Sequence, residues 1–460
     1  MQGHALGSDT GSLTGAEDWD AADDDGYTEY AEPGTGIRTT GVLGAIAGVR
    51  ERFDSWRTLM GRPLTSYYLI CGITALLLGL GLVMVLSTGS VFDLSLGDSP
   101  YQDFLKQLLV VAIGLPLMLL ASRSSPKLFR AAAYPLLGIS VLGLVLTMIP
   151  GVAPPENGAA RWIDIGPLQV QPSEIAKLAF VLWGADLLAR KEKLGLLRDW
   201  RHMLMPLLPG AGVLIMLVMI GDDLGTTFIL LIIFLTLLWV VGTPGRIYSG
   251  ILILMALVML LLVVTASYRL KRLTAFYDPT GGATGPNQQA IQGRYALGDG
   301  GVFGVGLGGS RGKWGWVPES TSDFIFAIIG EELGLVGTLC VAALYGGLAF
   351  AGLRVARRTT DTFTRLAAAS ITVWIVMQAV VNIGAVIGVL PITGVPLPLV
   401  SAGLSSLLST MIALGILMAF ARREPGAAQA LAARGPGLAS RVLSWLGLGT
   451  RRRAGRPRRT

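Results

Sequence analysis

The chain has 460 residues, of which 52% are hydrophobic and only 15% are charged. Soluble domains usually carry about 25% charged residues, so this composition excludes an ordinary soluble protein. Both cysteines, Cys71 and Cys340, lie in apolar runs, which excludes a disulfide framework and a zinc-binding Cys/His cluster. The net charge of +7 combines an acidic N-terminal stretch with a basic C-terminal end, and neither stretch predicts binding to nucleic acid.

Residues 1–64 are rich in Gly, Asp, Thr and Ala and contain no apolar segment of the kind that a signal peptide needs. We predict that 1–64 is a disordered, acidic cytoplasmic tail that ends in a basic juxtamembrane segment. Residues 424–460 are predicted to form a second, basic cytoplasmic tail. The membrane domain is therefore expected at 65–423.

Apolar runs of about 20 residues, long enough to cross a hydrocarbon layer of ~30 Å, fill this domain. The sequence contains ten such runs, near 67–87, 104–122, 130–149, 174–190, 203–220, 224–242, 248–266, 324–353, 366–390 and 400–421. They predict an all-α polytopic membrane protein with about ten transmembrane helices. The polar break Gly221-Asp222-Asp223 separates the fifth run from the sixth.

The basic residues between the runs predict the orientation. The outer loops near 88–103 and 391–399 contain no Lys or Arg, whereas Arg and Lys recur in the alternate segments, which indicates a cytoplasmic N-terminus and C-terminus. Residues 266–323 then form one large extracytoplasmic loop between helices 7 and 8. This loop is basic, but long loops cross the membrane largely regardless of their charge.

The large loop contains a glycine-rich run from Gly298 to Gly309. Glycine permits tight turns and close approach of the backbone to a neighbour. A flexible loop and a phosphate cradle are equally compatible with the run, and no Walker lysine pattern accompanies it.

Charged residues follow the glycine-rich run and precede the eighth apolar run, which begins at Phe324. Lys313, Glu319 and Asp323 are thereby predicted to lie at the outer membrane surface. The simplest interpretation of Ser322 and Asp323 is a helix N-cap, because such side chains accept hydrogen bonds from the first helical turn.

Ionisable and amide side chains inside the apolar runs are costly in hydrocarbon, so they are expected to face a partner or a cavity. Glu174 and Lys177 stand three residues apart on one helical face, and pairing with each other or with a substrate is equally possible. Gln378 and Asn382 stand four apart, and we predict that they form hydrogen bonds between helices.

Several long motifs in a common order resemble the SEDS family (shape, elongation, division and sporulation), whose members are peptidoglycan glycosyltransferases with ten transmembrane helices. The resemblance covers about 60–423 and rests on the segments 157–163, 171–174, 223–226, 296–308, 318–319, 323–334 and 390–401. The run that begins at Asp323 resembles the division member of the family more than its elongation member. Ala402, where many members have tyrosine, suggests an actinobacterial version.

The resemblance implies a reaction. Family members polymerise lipid II, an undecaprenyl-pyrophosphate disaccharide-pentapeptide, into β-1,4 glycan strands at the outer face of the cytoplasmic membrane. The aspartate that matches Asp323 is regarded as their catalytic residue. It would act as the general base that takes the proton of the attacking 4-hydroxyl group in a single inverting transfer. Many relatives have His-Thr where this chain has Thr321-Ser322, so a histidine role is absent.

The pyrophosphate leaving group calls for positive charge at the site. Candidate substrate-binding residues are Arg161, Arg294, Lys313 and Glu319 at the outer surface, with Glu174 and Lys177 deeper in the membrane. A divalent cation, Mg²⁺ or Mn²⁺, could share this work, although no metal-ligand spacing identifies one.

The resemblance also implies partners and a location. They are lipid II, the nascent glycan strand, membrane lipids, a class B penicillin-binding transpeptidase and other division proteins, in the cytoplasmic membrane at the septum. Two other functions stay open: a lipid II flippase or transporter, and a non-catalytic division scaffold. The absence of an inverted repeat and the polar residues at the outer surface favour polymerisation.

Overall fold

The computed structural model describes residues 64–95, 97, 99–149, 151–153, 161–165, 168–264, 286–427 and 429–430. All of these residues belong to one compact unit, Leu59–Thr460. The predicted N-terminal tail up to residue 63, most of the C-terminal tail and residues 265–285 of the predicted large loop lie outside the described residues. The predicted domain boundaries therefore stay predictions.

The described residues form twelve α-helices, one short 3-10 helix (Leu196–Arg198) and one β-hairpin. In chain order these are α1 (Thr65–Ser95), α2 (Gln102–Arg123), α3 (Pro126–Leu146), β1 (Ile163–Ile165), β2 (Leu168–Val170), α4 (Pro172–Lys193), α5 (Trp200–Leu204), α6 (Leu207–Ile220), α7 (Leu224–Val241), α8 (Gly245–Val264), α9 (Pro286–Asp299), α10 (Ile325–Arg358), α11 (Thr362–Val386) and α12 (Leu404–Ala421). The two strands are antiparallel, and Ile163 pairs with Val170.

Among these described residues, nine helical segments are long and apolar enough to cross a membrane, with α5 and α6 counted as one segment. They correspond to nine of the ten predicted apolar runs. The tenth run became α4, which fails this criterion because charged residues such as Glu174, Lys177 and Asp186 occur along its 22 residues. Neighbouring helices α3, α7 and α11 pack against α4 and bury most of its side chains. The all-α polytopic fold is confirmed, whereas the count of ten and the sidedness stay predictions.

Helix α10 is broken at Gly334, where φ is 67° and ψ is −164°. A break leaves backbone groups without partners inside the helix, and such groups need partners from elsewhere when they are buried. The glycine-rich segment after α9 supplies them. The backbone N–H of Val305 donates to the carbonyl of Glu331 (2.9 Å), and that of Gly306 donates to the carbonyl of Glu332 (3.0 Å).

The glycines in this segment are required by its close approach to α10. A β-carbon at Gly300 would overlap the carbonyl of Gly330, and one at Gly304 would overlap the carbonyl of Glu332. The run therefore completes the backbone hydrogen bonding of a broken helix, a use that is neither a flexible loop nor a phosphate cradle. The residues just before Gly300 belong to α9 and are helical.

Candidate active site

A cavity of about 590 Å³ lies at one end of the helical bundle. Helices α4, α7 and α12 begin at its wall, and the residues just before α10 also line it. The first N–H groups of a helix have no partner within the helix, and the helix dipole is positive at that end. Several helix N-termini at one cavity favour negatively charged groups of a ligand.

Asp323 lines this cavity two residues before α10, and its side chain is partly exposed. The backbone of residues 321–323 is fixed by three hydrogen bonds. Their carbonyls accept, in order, from the backbone N–H of Ala402 (2.9 Å), Oγ of Ser401 (2.6 Å) and Nδ2 of Asn382 (2.7 Å). The position of the Asp323 backbone is therefore set by α11 and by the segment that precedes α12.

The predicted N-cap role of Ser322 and Asp323 is wrong. The residue that caps α10 is Phe324, which makes no side-chain capping bond. The hydroxyl of Ser322 instead donates to Oε2 of Glu319 at 2.7 Å. Glu319 is exposed, has φ of 56° and lines the cavity together with Asp323. Two carboxylates are thus placed on one wall.

Glu174 and Lys177 lie on the floor of the cavity and pair with each other. The distance from Nζ of Lys177 to Oε1 of Glu174 is 2.7 Å, and the residues are 1% and 2% exposed. Nζ of Lys177 also donates to Oε1 of Gln378 (3.0 Å), and Ser409 donates to the second Glu174 oxygen (3.3 Å). From the sequence, Glu174 and Lys177 could pair with each other or contact a substrate. The structure shows that they pair and that both residues also line the cavity.

The predicted hydrogen bond between helices is confirmed for Gln378, whereas Asn382 donates to carbonyls of segments outside the helices. Gln378 connects Lys177 of α4 to the carbonyl of Pro396, which accepts from Nε2 at 3.1 Å. Nδ2 of Asn382 donates to the carbonyl of Val395 at 2.8 Å in addition to that of Asp323. The two amides hold the connection between α11 and α12 against the bundle.

Arg161 also lines the cavity. Its Nε donates to the carbonyl of Gly221 (2.9 Å), and its Nη2 donates to the carbonyl of Asp222 (2.6 Å), at the end of α6. The guanidinium group therefore lies on the cavity wall opposite the negative end of a helix dipole. Most of the motif that precedes Arg161 lies outside the described residues.

Arg294 and Lys313 are not among the residues that line the cavity. Arg294 is exposed on α9, where its Nε donates to the carbonyl of Ala290 (3.1 Å). Lys313 is buried, and its Nζ lies 3.3 Å from Oε1 of Glu332 and 3.1 Å from Oγ of Ser87. In this arrangement Lys313 fixes the large loop to α1 and α10, and the substrate roles of both cations stay predictions.

Asp223 is a cavity residue to which the sequence reasoning assigned no role. Its carboxylate accepts from Nε2 of Gln171 (2.9 Å), from Oγ of Ser173 (3.1 Å) and from the backbone N–H of Thr226 (2.9 Å). The last bond makes Asp223 the N-cap of α7. An acidic residue just before an apolar run is a sequence signal for such a cap. The contacts of Asp223 with Gln171 and Ser173 have no such signal, because they join segments about fifty residues apart.

Metal binding has no direct support in the site. No group of three or more His, Cys, Asp or Glu side chains within the part of the chain that the structure describes could hold a metal ion. The predicted Mg²⁺ or Mn²⁺ stays a prediction.

These features define the class of protein: a polytopic α-helical membrane protein whose polar cavity, at one end of the bundle, is lined by acidic and basic side chains. Residues 67–425 match the family model of the cell cycle proteins FtsW, RodA and SpoVE. The chain belongs to this family, which confirms the resemblance to the SEDS proteins, and it is of the FtsW type.

Relatives with curated names support this membership. The chain is 41% identical over 428 residues to the probable peptidoglycan glycosyltransferase FtsW of Mycobacterium tuberculosis, which covers 92% of this chain and 80% of the relative. It is 36% identical to the stage V sporulation protein E of Bacillus subtilis, over 76% of this chain and 95% of the relative.

Two solved structures have a similar fold. One chain belongs to a peptidoglycan synthase complex described as coordinating polymerization and crosslinking; it is 28% identical, has a TM-score of 0.63 and covers 77% of this chain and 97% of its own length. The rod shape determining protein RodA of Thermus thermophilus is 27% identical with a TM-score of 0.56, over 77% of this chain and 96% of that chain.

Proposed function

We propose that the protein is a peptidoglycan glycosyltransferase that polymerises lipid II into β-1,4 glycan strands at the outer face of the cytoplasmic membrane. The observation that carries the proposal is the carboxylate of Asp323 at a polar cavity, on a backbone fixed by three hydrogen bonds. The relatives named as peptidoglycan glycosyltransferases support the choice of reaction.

Asp323 acts in this proposal as the general base. Its carboxylate takes the proton of the 4-hydroxyl group of one lipid II molecule as that oxygen attacks the anomeric carbon of a second glycan. The bond from this carbon to the pyrophosphate oxygen breaks, and undecaprenyl pyrophosphate leaves with the electron pair. One displacement inverts the α-linkage to a β-linkage, so no covalent enzyme intermediate is required.

The leaving pyrophosphate gains negative charge in the transition state, and fixed positive groups stabilise it. Arg161 is the cavity cation best suited to this role, because a guanidinium group can bind phosphate oxygens in a bidentate manner. The N-terminal end of α12, which has no acidic residue in its first turn, adds partial positive charge. Lys177 contributes less, since Glu174 neutralises it at 2.7 Å.

The test uses purified full-length protein and fluorescent lipid II. The wild-type protein is expected to produce glycan strands, and Asp323→Ala is expected to lose at least ~10²-fold in rate, the usual contribution of a general base. Asp299→Ala removes an exposed carboxylate at the end of α9 and is the matched control, expected to retain activity. A folded Asp323→Ala protein that polymerised at the wild-type rate would overturn the assignment.

Further parts of the proposal concern partners, location and cation. We propose that the enzyme works with a class B penicillin-binding transpeptidase and other division proteins at the septum. The similar chain from a peptidoglycan synthase complex and the FtsW-type relatives support this. A Mg²⁺ or Mn²⁺ ion is proposed to assist the leaving pyrophosphate, and loss of polymerisation on chelation, restored by either metal, is the test.

A further inference from the structure

An apolar surface projects from the segment between α9 and Asp323, and we call it the 302–316 patch. Its exposed members are Val302, Phe303, Val305, Leu307, Trp314 and Trp316. Phe303 exposes 84% of its surface, and the two tryptophans expose more than 60%. Several exposed apolar side chains in one short segment indicate a surface that another molecule or a membrane covers.

The depth of the patch follows from its bonds to α10. The backbone N–H groups of Leu335 and Val336 donate to the carbonyls of Gly301 (3.0 Å) and Val302 (3.2 Å). The first residues of the patch are therefore level with Leu335 and Val336, just past the Gly334 break.

With the predicted sidedness, the length and exposure of α10 place the outer limit of the hydrocarbon layer near the same level. The part of α10 after the Gly334 break, residues 335–358, is about 36 Å long at 1.5 Å per residue, enough to cross a hydrocarbon layer of ~30 Å. Leu335, Val336 and Leu339 are exposed apolar residues, whereas residues 325–332 are buried within the protein. The lipid-facing surface of α10 thus begins at Leu335, beside the patch.

We propose that the 302–316 patch inserts into the outer leaflet and anchors the large loop to phospholipid. The start of the patch is bonded to α10 at the level where the exposed apolar surface of that helix begins. Tryptophan is enriched at the level of the lipid headgroups, and this is the level at which the proposal places the exposed Trp314 and Trp316. The exposed Arg311 is available for phosphate headgroups, whereas the charge of Lys313 is buried against Glu332 and does not interrupt the patch.

The anchor is rigidly connected to the cavity. The carboxylate of Glu331 accepts from Oγ of Ser310 (2.6 Å) and from the backbone N–H of Arg311 (2.7 Å), so the loop and the start of α10 form one unit. Asp323 precedes the same helix by two residues. Lipid bound at the patch would therefore fix the height of the Asp323 carboxylate above the hydrocarbon layer.

The experiment places an environment-sensitive fluorophore on the full-length protein. Phe303→Cys and Trp316→Cys, each in a Cys71→Ala/Cys340→Ala background, are labelled and reconstituted into vesicles of phosphatidylethanolamine and phosphatidylglycerol. Asp164→Cys is the matched control, because Asp164 is exposed on the β-hairpin at the same end of the bundle. Lipids with a nitroxide near the headgroup or near the acyl terminus report depth.

Labels at 303 and 316 are expected to show blue-shifted emission and to lose most of their fluorescence to the shallow nitroxide, with less quenching by the deep one. The label at 164 is expected to be quenched by neither lipid. Water-exposed labels at 303 and 316 would overturn the proposal, and so would labels that become shielded only when a transpeptidase partner is added, which would make the patch a protein interface. None of these outcomes depends on whether Asp323 is the catalytic base.

Discussion

The two ends of the helical bundle use acidic residues differently. At the end opposite the cavity, carboxylates pair with cations: Asp361 with Arg130 at 2.8 Å and Asp186 with Arg190 at 2.7 Å. At the cavity end, Asp223 is held by an amide, a hydroxyl and a backbone N–H. Neutral donors fix a carboxylate without cancelling its charge, so the cavity end combines a rigid wall with an acidic surface.

Ion pairs also occur toward the cavity end, as between Lys313 and Glu332, and the pair of Glu174 and Lys177 is almost fully buried. Removing one partner of a buried pair leaves the other charge uncompensated, which costs about 3–5 kcal/mol. Lys177→Met is therefore expected to give the largest loss of stability among single substitutions in these ion pairs, measured by thermal unfolding in detergent.

Lys106→Met provides the matched control for Lys177→Met. Lys106 and Asp103 have the same three-residue spacing at 3.3 Å, but their side chains are 39% and 27% exposed. An exposed pair contributes only about 0–1 kcal/mol. Equal destabilisation by the two substitutions would contradict the argument from burial.

Hydrogen bonds from uncharged side chains fix the backbone of the proposed base, and Asn382→Ala is expected to show their effect on rate. The substitution removes the amide bond to the Asp323 carbonyl (2.7 Å) and lets the backbone of the proposed base move. A shift of about 1 Å in a reacting group can cost up to ~10²-fold, so we expect a lower kcat by about 10- to 100-fold with little change in KM. Steady-state polymerisation kinetics measure both.

Ser401→Ala removes the adjacent tether, from Oγ to the carbonyl of Ser322 (2.6 Å). If both tethers position one base, the double variant with Asn382→Ala will lose less activity than the product of the single losses, because the two changes act on the same group. Independent, multiplicative losses would indicate that the tethers do not share a target.

A substitution at Asp361 tests the ion pairs at the end of the bundle opposite the cavity, and the expected change in stability is small. Burial raises the pKa of its carboxyl group, but hydrogen bonds from Thr364 and the charge of Arg130 outweigh this and leave the pKa below its usual value. The contribution to stability is therefore present above the unfolded pKa of about 3.9 and is lost as pH falls through the lower folded pKa.

The side chain of Asp361 is 43% exposed, so solvent screening limits this contribution to about 1 kcal/mol or less. Asp361→Asn should lower the unfolding temperature slightly at pH 7 and should make no difference at a pH below the folded pKa. A difference that grew toward acid pH would contradict the assigned sign.

The sequence predicted local features well and non-local ones poorly. The helix boundaries follow from apolar run length, which is local, so α7 was expected at 224–242 and lies at Leu224–Val241. The break before it, at Gly221 to Asp223, also separates two helices as expected. The use of Gly300 and Gly304 was not predictable, because the carbonyls that they approach lie about thirty residues later.

The site shows the same limit. The sequence indicated seven candidate site residues; Asp323, Arg161, Glu174, Lys177 and Glu319 line the cavity, and Arg294 and Lys313 do not. The N-cap interpretation of Asp323 failed because the helix starts two residues later, a small offset that a sequence pattern does not resolve. The tether from Asn382, which is 59 residues away in sequence, depends on tertiary packing alone.

The Gly334 break has a mechanical consequence. The segment 301–306 bonds to α10 on both sides of the break: its N–H groups donate to the carbonyls of Glu331 and Glu332, and its carbonyls accept from Leu335 and Val336. The outer turns, which follow Asp323 directly, are therefore splinted to the rest of the helix by the segment that begins the 302–316 patch. A force on the patch would act on the proposed base and on the inner part of α10 together.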